Sequence, residues 1–169
     1  LTGAHFDGRL VAASALLTAG AWTVLLARFL RLVRASRMAD RVHARLVLLF
    51  FAFGTLAHLA FAAGMAQLSA TWIHSAEMLS VWLFIAPVYV TVAHRLIPFF
   101  TASVVPVLDA WRPLWLLTAM LGVVFAHGLL PVGSVFAPGA AFGWLRLAVD
   151  LAGAALVFFV AWRWGVVQS

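Results

Sequence analysis

The chain has 169 residues, of which 66% are apolar and 9% charged, and its mean hydropathy is +1.09. No water-soluble domain of this length can carry that composition on its surface, so the expected fold class is all-α, a polytopic transmembrane helical bundle in a lipid bilayer. Cysteine is absent and all eleven basic residues are arginine, against five acidic ones; this excludes disulfides, thiolate metal sites and cysteine-attached haem, and the positive charge reports membrane topology with no nucleic acid as partner.

The chain opens on Leu1 with no basic segment ahead of an apolar core, so no intact signal peptide is expected. Five apolar runs follow, at about 10–30, 46–66, 72–92, 114–130 and 144–162, forming one integral membrane domain over 1–169. Each can cross ~30 Å of hydrocarbon as a helix. Period-2 alternation is missing, which rules against a barrel. The first run leads into a connection crowded with Arg28, Arg31, Arg34, Arg37, Arg41 and Arg45. The second and third are joined by a short, nearly uncharged link around Gln67 to Thr71, and the third runs into His94, Arg95 and Pro98. Arg112 precedes the fourth run, the Pro/Gly segment PVGSVFAPGAAFG separates it from the fifth, and Arg163 follows the last. Nine arginines therefore share one side and only Arg9 and Arg146 lie on the other. The crowded side is expected to be cytoplasmic, with the amino terminus outside and the carboxyl terminus inside.

Ionisable groups inside apolar runs are costly, and each is a candidate functional residue: His58, His74, Glu77, His94, His127 and Asp150. Counting 1.5 Å per residue, His74 and His127 fall within about one turn of the outer surface, Glu77 one turn deeper and His58 about two turns down. His43 and His94 fall at the cytoplasmic edge. His58, His74 and His127 come from consecutive antiparallel spans and could converge, offering imidazoles to iron or copper; His74 with His127 matches best in depth as an axial pair for a b-type haem. Glu77, three residues after His74, is placed to orient that imidazole or to relay protons. Arg95, eighteen residues on, counts to the same face as Glu77 at a distance too great for a pair. Asp150 is expected to pair with Arg146 four residues earlier on its own helix. Gly54 and Ala62 flank His58 at four-residue spacing, leaving room for a neighbouring helix or a flat macrocycle. The simpler reading of each histidine is a polar side chain hydrogen-bonded between helices.

In AHRLIPFFT, Pro98 is expected to stop the third helix and to free a carbonyl one turn back that Arg95 or Thr101 can help satisfy. An arginine beside a freed carbonyl also suits an anion such as a haem propionate. This stretch resembles the Gly-Arg-(Ile/Val)-Ile-Pro-x-Phe-Thr signature of the NnrS family of haem- and copper-containing membrane proteins. The likeness runs from about Arg45 to Val105 and includes the histidine helix FGTLAHLAFAAG. Arg95, Pro98, Phe100 and Thr101 map onto the signature, while His94 stands where the family has glycine. WIHSAEML is similar to the family's His-Ala-His-Glu-Met motif with different spacing, and no ligand role is transferred from it. Members are longer, so the chain reads as part of a longer protein or a short relative.

The resemblance implies haem b and copper bound in a bacterial inner membrane, with a role in the response to nitric oxide and nitrosative stress or in denitrification. Cofactor-binding candidates are His58, His74, His127 and Arg95, the first three also as metal ligands. A homo-oligomer, or assembly with the rest of a longer chain, is the expected association. Two other classes remain open: a transporter or channel module with a polar path along Glu77, Asp150 and the histidines, and a b-type cytochrome subunit.

Overall fold

The structure is a computed structural model that describes residues 8–38, 40–104, 110–136 and 139–165. Its elements are helices throughout, with no strand among the described residues: α1 (Gly8–Ala35), α2 (Val42–Gln67), α3 (Ala70–Leu79), a π-helical turn (Ser80–Ile85), α4 (Ala86–Val104), α5 (Leu114–Phe136) and α6 (Ala140–Arg163). Five helices are long and apolar enough to cross a membrane, because α3, the π turn and α4 run on as a single helix of 35 residues. The all-α, multi-pass expectation holds. Large apolar side chains also face outward, with Leu17 77% and Phe158 72% exposed, as lipid-facing residues must be.

Two boundaries differ from expectation. Pro98 lies inside α4, which continues to Val104, and Pro131 lies inside α5, which continues to Phe136. In hydrocarbon, abandoning a helix exposes backbone groups that nothing can satisfy, so the chain tolerates the proline and keeps the helix. The freed-carbonyl arrangement expected around Pro98 also differs, since the Thr101 hydroxyl donates to Ile97 O at 3.0 Å, not to the carbonyl of His94. The Pro/Gly turn after the fourth span shrinks accordingly; its residues 137 and 138 lie outside the described residues.

The chain divides into two compact units, Leu1–Val88 and Tyr89–Ser169. In the first, α1 packs along α2, and α2 along α3 and the π turn. Its interior is lined by small residues, Ala12, Ala15, Ala19, Ala57, Ala62 and Ala76, all buried, which let the backbones approach closely. An aromatic cluster fills the remaining space: Trp22 lies 4.9 Å from Phe51 and 5.4 Å from Phe84, and Phe51 5.5 Å from Phe84, ring centre to ring centre. The turn from α2 to α3 is tight. Leu68 closes α2 at φ 51, Ser69 N–H donates to Gly64 O at 2.9 Å, and a Cβ on Gly64 would stand 2.9 Å from Ile73 N. Only glycine admits that approach.

In the second unit α5 packs on α6. Buried Leu116, Val160 and Trp164 form its core, with Ile97, Trp111 and Phe159 packed around them. Trp164 Nε1–H donates to Trp111 O at 3.1 Å, and Arg163 lies 5.2 Å from the Trp111 ring centre, a cation–π contact.

Candidate functional site

His58 sits in the middle of the first unit, half-buried, with its ring centre 6.1 Å from that of Trp22. Its Nδ1 is 2.7 Å from Gly54 O, one turn back. A carbonyl oxygen only accepts, so Nδ1 carries the proton and the neutral ring keeps its lone pair on Nε2. That is the tautomer metal-binding histidines use. Gly54 serves twice. Its carbonyl anchors the imidazole, and its missing side chain admits the Phe84 ring, which a Cβ would meet at 2.8 Å. Of the two close approaches expected beside Gly54, a neighbouring helix or a flat macrocycle, the one seen is by the aromatic ring of a neighbouring helix.

Phe84 reaches Gly54 from the π turn. There the Ala86 N–H bonds Val81 O, five residues back, just before Pro87, whose missing N–H interrupts the regular α ladder. A wider turn of this kind is a usual accommodation to proline within a membrane helix.

His74 and Glu77 share a face of α3, as their spacing requires, with Nδ1 3.7 Å from Oε2 and both side chains exposed within this chain. A cavity of about 290 Å³ lies beside His58 and is also lined by Glu77. Ser14, Thr18 and Ser80 contribute to the same wall. These hydroxyls went unnoticed in the sequence because serine and threonine at helix spacing look like any others.

In the second unit the imidazole of His127 is hydrogen-bonded through Nδ1 to Asp150 Oδ1, joining α5 to α6. Asp150 also faces Arg146, but at 3.9 Å. The expected local pair on α6 is therefore the looser of the two, and the closer partner of Asp150 is the histidine. Depth counting holds the signal that was missed, because both residues fall near the outer ends of their spans. A carboxylate on Nδ1 fixes ring orientation and makes the opposite nitrogen a stronger ligand.

The remaining candidates have other surroundings. His94 is fully buried, with Nε2 3.1 Å from Pro113 O and its ring centre 6.2 Å from that of Trp164; it packs in the second unit's interior. His43 is buried at the start of α2, 3.6 Å from Asp40. Arg95 is exposed on α4, Pro98 is buried, and Phe100 is exposed with its ring 5.5 Å from Phe99. Among the described residues, no three His, Asp or Glu side chains come together as a metal-binding set. The described site residues thus comprise His58, anchored on Gly54 beside a cavity, His74 with Glu77, and His127 with Asp150.

The family model described as NnrS protein matches residues 1–169, the whole chain. No curated protein and no solved structure matches the chain.

Proposed function

Because this chain belongs to the NnrS family, we propose that it binds haem b, with copper as a second metal, in a bacterial inner membrane, where it serves the response to nitric oxide or denitrification. The observation that carries this reading is the anchoring of His58 and His127 through Nδ1, on Gly54 O and on Asp150. Both rings thereby offer Nε2, and neutral imidazole suits iron and copper where thiolate is absent. The residues present fit the group in donor chemistry.

In this reading His58 holds metal in the first unit, with His74 as a further imidazole of that unit, and His127 holds metal in the second. Arg95, exposed one turn before Pro98, offers a guanidinium fork to a propionate. Glu77 stands near His74 as a proton acceptor and donor. When bound, haem supplies an iron centre able to take nitric oxide or pass an electron. The amino terminus lies on the periplasmic side and the carboxyl terminus in the cytoplasm, following the arginine distribution.

The test is the absorbance spectrum of the purified chain, produced with ample haem and reduced with dithionite. Soret and α bands are expected, with haem content reduced in His58→Ala or His127→Ala and unchanged in His94→Ala. Absence of both bands defeats the cofactor reading.

A further inference from the structure

The end of the first unit where α1 turns into α2 carries six arginines, Arg28, Arg31, Arg34, Arg37, Arg41 and Arg45, against one acidic residue, Asp40. All six are exposed except Arg41, which is half-buried. On α1 the other side of the helix meets α2: Val33 is buried, and the Phe29 ring centre lies 6.1 Å from that of Phe51. At about 100° per residue, Arg31 stands directly opposite that packed side, with Arg28 and Arg34 flanking it. Asp40 is engaged with the start of α2, where its Oδ1 accepts the Val42 N–H at 3.1 Å and its Oδ2 lies 3.6 Å from His43 Nδ1. Among the described residues no carboxylate pairs with any of the six arginines. Their spacing, three residues on α1 and four from Arg41 to Arg45, sets like charges side by side. This end of the chain thus concentrates positive charge that its own groups leave uncompensated.

Helix length puts that charge in the headgroup layer. α1 runs for 28 residues, about eight more than a helix needs to cross ~30 Å of hydrocarbon. Charged side chains are costly in hydrocarbon, so the excess falls at the arginine-bearing end. Leu32 and Met38, 69% and 64% exposed, stand between the arginines. A soluble polyanion would meet the guanidinium groups and leave those two side chains in water. A phospholipid offers phosphate to the first and acyl chain to the second, and guanidinium forks hold phosphate oxygens in pairs. We propose that the arginine-bearing end of α1 and α2 is a docking surface for anionic phospholipid. The proposal goes beyond the cofactor reading and does not depend on it.

The experiment is thermal unfolding of the full chain in neutral detergent micelles, followed by tryptophan fluorescence, with phosphatidylglycerol titrated in. Phosphatidylcholine and glycerol phosphate are the controls, the first a lipid without net charge and the second a phosphate without acyl chains. A saturable rise in Tm is expected with phosphatidylglycerol alone, because a ligand of the folded state stabilises it by mass action. Arg31→Gln combined with Arg34→Gln should weaken the apparent affinity by at least about tenfold. Arg112→Gln combined with Arg163→Gln removes the same charge from the second unit and should change it by less than about twofold. No rise with phosphatidylglycerol, an equal rise with either control, or an equal loss of affinity in the two double variants overturns the proposal. If the first double variant does not fold, Arg37→Gln combined with Arg45→Gln takes its place, and an undiminished response there does the same. A missing Soret band leaves this titration intact, and a flat titration leaves the spectrum intact, so the two readings fail separately.

Discussion

His127 and Asp150, 23 positions apart, are joined by a hydrogen bond from the imidazole Nδ1 to the carboxylate, and this bond links α5 to α6. Carboxylates behind ligating histidines typically set metal affinity by 10- to 100-fold. Asp150→Asn should therefore lower the affinity for haem or copper by about that factor while the helical content is retained, as measured by titration of the cofactor-free protein. Arg146→Gln removes only a 3.9 Å contact between half-exposed groups and should change stability by less than about 1 kcal/mol. An equal loss of cofactor affinity in the arginine variant would show that charge balance, not ring orientation, is what matters.

Gly54→Ala places a methyl 2.8 Å from the Phe84 ring. Overpacking of this kind costs about 1–3 kcal/mol. Phe84→Leu in the same chain should recover part of that loss, so a double-mutant cycle by thermal or denaturant unfolding should show clear coupling. Additive effects would mean that the ring yields without resistance.

His94→Ala removes a fully buried ring and leaves Pro113 O without its imidazole donor. The loss of packing and of one hydrogen bond together should cost about 2–4 kcal/mol. Unfolding measurements on the haem-loaded chain should find that cost with the absorbance spectrum unaltered. A spectral change would assign His94 to the cofactor after all.

Trp164→Phe loses the Nε1–H bond to Trp111 O and should destabilise by about 1 kcal/mol, the net worth of one such bond. The readout is again the unfolding midpoint; no shift would mean that the bond contributes nothing beyond packing.

The five spans were legible because a bilayer leaves the chain few choices: apolar length and arginine placement decide them. The helix ends at Pro98 and Pro131 were misjudged for the same reason, since proline rules drawn from water-exposed helices ignore the cost of freeing backbone in lipid. His74 with Glu77 followed from spacing on one helix. His127 with Asp150 did not, because a contact between helices depends on how each is rotated about its axis, which apolar runs of nearly uniform hydropathy do not encode. The Gly54 and Phe84 contact was hidden for a further reason: it passes through the π turn, and Pro87 marks where the α ladder is interrupted without saying that the turn before it widens.

That turn alters how positions along the 35-residue helix relate to one another. Closing a ring from Ala86 to Val81 takes in one residue more than an α turn does, so Ala86 to Val88 are rotated by roughly 100° about the helix axis from where simple counting puts them. Removing a single residue between Ser80 and Ile85 would restore the regular winding there and would shift the register in which this stretch meets α2.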